Sequence, residues 1–187
     1  MENNNTTQTH VTQKLFTEML RPQTLDQAII VPRIRELLQH GLTQSLLIYG
    51  NPGSGKSTLT RILSKGYTVL EINASLENGI DTIRDKVIAF ASQSSLFSGE
   101  EKLKVIVLEE CDGLSLEAWK ALRATIEKYH KTVRFIANCN YIDKVPEPIQ
   151  SRFNLVAIDP VTKEEEAYRT EKQFNQFHDQ KKICTYL

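Results

Sequence analysis

No charge of one sign prevails in this 187-residue sequence: 23 Lys and Arg stand against 23 Asp and Glu, so the formal net charge is zero. That excludes a protein that coats nucleic acid or an anionic membrane through global basicity. Any such contact must come from a local patch. Long apolar runs are also missing. The longest are a handful of residues, such as Val105–Leu108, far short of the roughly 18 that cross a bilayer, and no membrane partner is expected. Cysteine is scarce, with three residues (Cys111, Cys139, Cys184) and no C-x-x-C spacing. This points to free thiols in a reducing compartment rather than a disulfide frame or a zinc site. The first residues lack a positive segment followed by an apolar one, so no secretory leader is read. The four histidines are scattered and suggest no metal cluster. Neither an N-K-x-D base reader nor an L-S-G-G-Q stretch occurs, which argues against guanine-nucleotide switches and transporter-type ATPases.

What is present is a globular balance of 40% apolar and 25% charged residues. From Asn3 to Gln13, nine of eleven residues are Asn, Thr or Gln, too little apolar surface to offset ordering entropy, so residues 1–13 read as a disordered tail. Five short, β-branched apolar runs follow: Ser45–Tyr49, Tyr67–Ile72, Leu103–Leu108, Val133–Asn138 and Asn154–Ile158. Between them lie segments with helical spacing. Leu59, Ile62 and Leu63 form one stripe; Ile80, Ile83, Val87, Ile88 and Ala91 a second; Leu116, Trp119, Leu122, Ile126 and Tyr129 a third. Strands alternating with helices predict an α/β fold: a three-layer αβα sandwich around a five-stranded parallel sheet, over residues 14–160. Residues 161–187 are polar and read as a helical tail.

Directly after the first strand stands Gly50-Asn51-Pro52-Gly53-Ser54-Gly55-Lys56-Ser57-Thr58, which satisfies G-x-x-x-x-G-K-[ST]. A triphosphate needs several backbone N–H groups turned inward, which requires a loop tight enough to demand glycine, and a helix N-terminus adds its positive end. Lys56 then reaches the β- and γ-phosphates, and the Ser57 hydroxyl ligates Mg²⁺. The predicted ligands are therefore ATP and Mg²⁺, held by residues 51–58. The second element is the apolar strand ending in Glu109 and Glu110. One acid can hold the metal through its water and the other can deprotonate an attacking water. Asn140, just past the fourth strand, offers an amide that could hold that water.

Together these segments resemble the clamp-loader branch of the AAA+ ATPases, the replication factor C small subunits and the large subunit of bacteriophage clamp loaders. The resemblance rests on Thr17–Leu25, the glycine-rich loop, Asn73-Ala74-Ser75 with Gly79–Arg84, Glu109-Glu110-Cys111-Asp112, Ala121–Tyr129, and Cys139-Asn140-Tyr141 leading to Glu147–Arg152. It implies an AAA+ core in which Thr17, Arg21 and Ile29 lie against adenine and ribose. It makes Glu110 the catalytic base, Glu109 the metal-associated acid and Asn140 a polar sensor. Arg152 becomes a finger acting on ATP held by a neighbouring subunit. Arg84, Lys120 and Arg123 are implied contacts to primer–template DNA, within a 120–134 stretch that carries Lys120, Arg123, Lys128, Lys131 and Arg134 against Glu127 alone. The implied partners are a sliding clamp, other clamp-loader subunits and primed DNA, and the implied location is the cytoplasm, that of a bacterial host if the protein is viral.

The chain departs from that pattern in four places. Glu109 stands where the family has Asp, Trp119 where it has a polar Gln linking DNA contact to catalysis, and Phe153 where it has Cys. Only 35 residues follow Arg152, so the family's lid and collar are expected to be missing, split off or supplied by another chain. Two alternatives stay open: a nucleotide-binding assembly subunit that does not hydrolyse ATP, and another AAA+ replication ATPase of the helicase-loader or branch-migration kind.

Overall fold

Alternation in the strands decides which helices cover which face. The computed structural model describes residues 21–93, 103–160 and 162–185, with side chains as far as residue 175; the expected tail 1–13 and Thr17 lie outside the described residues. The elements are α1 (Pro32–Leu38), β1 (Leu46–Tyr49), α2 (Lys56–Ser64), β2 (Thr68–Asn73), α3, β3 (Lys104–Glu109), α4 (Leu116–Tyr129), β4 (Val133–Cys139), α5 (Glu147–Gln150), β5 (Asn154–Ala157) and α6 (Lys163–Thr185). Helix α3 is wound as a π-helix over Thr82–Ile88 and as an α-helix over Ala89–Ser92. All strands pair in parallel in the order β2-β3-β4-β1-β5, the predicted five-stranded sheet.

Odd and even positions then sort into two cores. Leu47, Ile106, Leu108, Phe135 and Ala137 join Ile83, Val87, Trp119, Leu122 and Ile126 in one buried cluster. Leu46, Ile48, Val105, Val107 and Ile136 join Ile34, Leu38, Leu59 and Leu63 in the other. Thus α3 and α4 cover one face of the sheet while α1 and α2 cover the other. Both faces are dry, which is why β3 reads as an unbroken apolar run. In α3 the buried residues Ile83, Val87 and Ala91 recur every fourth position. A winding wider than the α-helix's 3.6 residues per turn suits that repeat better, and the π-turns supply it.

Two expectations need correction. Leu116, placed in the α4 core stripe by its spacing, is 66% exposed: it is the first residue of the helix, ahead of the buried Ala118, Trp119 and Leu122. Helix α1 has no counterpart in the periodicity reading. It is only seven residues long, starts on Pro32 and buries just Ile34 and Leu38. Among the described residues, no helix is long and apolar enough to cross a membrane.

Candidate functional site

The carboxyl ends of β1, β3 and β4 carry the polar residues that the apolar strands deliver there. In open parallel sheets this is the edge where ligands bind. β1 ends at Tyr49 and the chain turns through residues 50–55 into α2. Gly55 sits at φ +98° directly before the helix, and Gly53 at +79°, backbone conformations that side chains on L-residues resist. No side chain caps the N-terminus of α2, so its first N–H groups stay available to an anion. Gly50, also at positive φ (+153°), is limited by space as well. A Cβ there would lie 2.9 Å from Asp159 Oδ2, and that carboxylate accepts a hydrogen bond from the Asn51 N–H at 2.7 Å. The bend of the loop is thereby held from beyond β5.

Lys56 is 9% exposed. Its ammonium donates to the carbonyls of Gly50 and Asn51 at 2.7 and 2.8 Å. Burial pushes its pKa below the usual lysine value, against the opposing pull of Asp159 and, after it, Cys139, Asp112 and Glu109. Ser57 donates to Glu109 Oε2 at 2.7 Å, bringing the two expected metal-site residues together across 52 positions of sequence. The set is all oxygen, the hard donor type that Mg²⁺ takes.

Glu110 is the one non-glycine residue with positive φ among those described, at φ 53° and ψ 42°. Such a conformation costs roughly 1–2 kcal/mol in an L-residue and persists only where neighbours enforce it. Here the neighbour is Asn138, 2% exposed, whose Oδ1 accepts the Glu110 N–H at 3.0 Å and whose Nδ2 donates to Thr60 Oγ1 at 3.4 Å. A cavity of about 370 Å³ is lined by Arg21, Lys56, Ser57, Glu110, Asn138 and Asn140, with Pro52, Gly53, Gly55 and Thr58 of the loop. A second cavity of about 210 Å³ shares Gly53, Gly55 and Thr58 with the first and adds Ile29, Ile30, Leu59, Ile158 and Arg169. The polar space and the apolar slot thus meet over the loop, as a phosphate tail and a nucleoside would require. Ser54 also lines the slot, and its hydroxyl is buried without a hydrogen-bond partner. The residues present therefore fit a magnesium–nucleotide group.

The profile of the family described as "ATPase family associated with various cellular activities (AAA)" matches residues 46–160. The chain belongs to this family. Among AAA proteins it is similar to the replication factor C small subunits of Saccharolobus solfataricus, at 40% identity over 84% of this chain and 50% of that one, and of Archaeoglobus fulgidus, at 36% over 81% and 50%. The chain spans about half the length of the curated relatives it matches. Among solved structures it shares the AAA fold with Thermotoga maritima RuvB, a Holliday-junction branch-migration motor, at TM-score 0.62 and 18% identity over 82% of this chain and 53% of that one. A DNA polymerase III gamma-subunit-related protein of the same organism has TM-score 0.54 and 23% identity over 71% and 46%.

Within this AAA core, the expected site residues separate by location. Arg21, Lys56, Ser57, Glu110 and Asn140 share the first cavity, and Ile29 lines the second. Asn51 lines neither; its N–H donates to Asp159. Arg152 is away from both, in the turn after α5, where its Nε donates to Glu127 Oε1 at 2.9 Å. Arg84, Lys120 and Arg123 are exposed. The 120–134 basic patch is smaller than its composition suggests. Arg134 donates to the Thr43 carbonyl at 3.0 Å and to that of His130, committing it to the chain's own backbone, and Arg123 pairs with Glu127.

Three residues of the site escape sequence reasoning. Asn138 had a signal, a lone amide inside an apolar strand. Asp159 lies 108 positions from the loop it supports. Arg169, on α6, donates to the carbonyls of Ile158 at 3.0 Å and Ser54 at 3.4 Å, and neither contact is visible without the fold.

Proposed function

We propose that this chain is an ATP-hydrolysing subunit of a sliding-clamp loader, using ATP and Mg²⁺ to place a ring clamp on primer–template DNA. The observation that carries the chemistry is the convergence of the glycine loop, Ser57 and the strained Glu110 on one cavity, with Glu109 hydrogen-bonded to Ser57. The likeness to replication factor C small subunits supports the biological role.

Loop N–H groups and the N-terminus of α2 bind the phosphates, and Lys56 exchanges its two carbonyl partners for phosphate oxygens. Ser57 and Glu109 would hold Mg²⁺, which supplies charge neutralisation of the phosphates when bound. Asn140 orients a water toward the γ-phosphorus, and Glu110 takes a proton from it. As the new P–O bond forms, the bond to the bridging β–γ oxygen breaks and ADP leaves. Arg152 of an adjacent subunit stabilises charge spread over the γ-phosphoryl oxygens, so turnover requires assembly. Lys120, Arg123 and Arg84 face duplex phosphates, giving binding that is independent of sequence and weakened by salt.

The test mixes the chain with its cognate clamp, partner loader subunits and primed DNA. ATP-dependent clamp loading that disappears with Lys56→Ala is expected; no loading in the complete mixture overturns the assignment. One observation favours a second reading, a nucleotide-binding subunit that assembles without turnover. Trp119, in place of the polar residue expected there, is 2% exposed and its indole N–H is buried with no partner. Turnover in the full complex that is lost in Glu110→Gln eliminates that reading.

A further inference from the structure

We propose that Glu127 is a positioning residue that links DNA contact to ATP hydrolysis, holding Arg152 through the same carboxylate oxygen that Arg123 engages. The inference rests on the reading of Arg152 as a finger in trans and of Arg123 as a DNA contact. Glu127 Oε1 accepts from Arg152 Nε at 2.9 Å and from Arg123 Nε at 3.3 Å. Arg152 Nη2 also donates to Oε1, while its Nη1 donates to the Pro148 carbonyl and, at 3.3 Å, to Ser151 Oγ. Every nitrogen of the finger is therefore occupied within its own subunit. To reach a neighbour's γ-phosphate it must free Nη1 and Nη2, while Nε can stay on Glu127, its anionic partner.

The two arginines come from different parts of the fold. Arg123 is one turn before Glu127 on the exposed stripe of α4 that begins with Lys120, and Arg152 is in the turn after α5. They compete for one oxygen. The Glu127 carboxyl is held below the usual carboxylate range by Arg152 first and Arg123 second, as expected of an anion shared by two guanidinium groups. A duplex phosphate arriving at Arg123 competes with Glu127 for that guanidinium. The carboxylate is then left to Arg152 alone, which fixes the finger's root beside α4 while its tip turns to the neighbouring subunit. This route bypasses position 119, where the indole buried in the core cannot relay a polar signal.

The experiment measures steady-state ATP turnover by the assembled loader, with and without primed duplex, for the wild type, Glu127→Gln and Glu127→Asp. Expected are stimulation by duplex in the wild type, a ratio near one in Glu127→Gln, and partial recovery in Glu127→Asp, which keeps the charge. Nucleotide affinity should stay within about twofold and melting temperature within a degree or two of wild type, and duplex affinity should not fall, since Glu127→Gln removes the carboxylate that competes for Arg123. A Glu127→Gln ratio equal to wild type overturns the inference. So does a wild-type rate that duplex leaves unchanged, although ATP hydrolysis by the subunit then still stands. Absence of any turnover in the wild-type assembly overturns the functional reading and the inference with it.

Discussion

Replacing Asn138 with Leu, a side chain of similar size, removes the acceptor that holds Glu110 in its left-handed conformation without opening a cavity. The magnitude follows from three contributions. The partly buried Glu110 N–H loses its partner, costing about 1–3 kcal/mol. The long bond from Asn138 to Thr60, 3.4 Å, is worth at most about 0.5 kcal/mol, the low end of the range for such bonds. In the opposite direction, release of Glu110 from its positive φ recovers roughly 1–2 kcal/mol. The net loss of stability is about 1 kcal/mol, a fall in melting temperature of about 2–4 °C for a chain of this size. On the proposed reading of Glu110 as general base, catalysis should suffer far more, because a base that leaves its geometry forfeits about 10²–10⁴ in rate. Thermal unfolding, affinity for a fluorescent ATP analogue and turnover in the assembled loader should be measured together for Asn138→Leu and Thr60→Val. Expected are near-normal affinity in both, at least hundredfold slower turnover in Asn138→Leu, and near-normal turnover in Thr60→Val. Turnover of Asn138→Leu within threefold of wild type would refute the reasoning, as would equal damage by Thr60→Val.

Lys56 is held below its ordinary pKa of 10.5 by burial, and phosphate oxygens should raise it. ATP binding between the lowered free-state pKa and the raised bound one is then accompanied by proton uptake, and affinity falls as pH rises through that window; calorimetry in buffers of differing ionisation enthalpy reads the uptake directly. Glu109→Ala removes the carboxylate paired with Ser57 and should raise the Mg²⁺ concentration for half-maximal turnover by tenfold or more, with metal-free nucleotide affinity little changed, as a magnesium titration will show. Cys111 and Cys139 are buried, and the hydrogen bond between them, together with desolvation, raises the Cys111 pKa well above its usual value. Both should resist iodoacetamide in the native protein and react only on unfolding, which mass spectrometry of the labelled peptides will decide.

Where a feature depends on local pattern, it could be read before the fold was known. The five strands announce themselves as β-branched runs, and the glycine loop by residue types that leave few alternatives. Elsewhere the deciding contact is remote. Asp159 is an ordinary acid until the sheet places β5 beside β1, and Arg134 counts as free positive charge until its guanidinium meets the Thr43 carbonyl. Leu116 misleads for another reason: helical periodicity describes which side a residue is on, not whether the helix has yet reached its packing partner. Asn138 lies between these cases. Its amide is conspicuous in the sequence, but its task, holding the backbone of Glu110 across the β3–β4 junction, is a statement about geometry.

The π-wound part of α3 has a consequence for charge placement. Successive residues in an α-helix step about 100° around the axis, and a wider winding steps less. The azimuth of the exposed Arg84, next to the fully buried Ile83, is therefore set by the backbone's pitch as well as by residue order. Excising one residue between Thr82 and Ile88 would tighten that stretch toward ordinary helix. With composition almost untouched, either Arg84 would swing toward a new bearing or Ile83 and Val87 would lose their shared face. In this region a change of length would rewrite the electrostatic map more than most changes of residue.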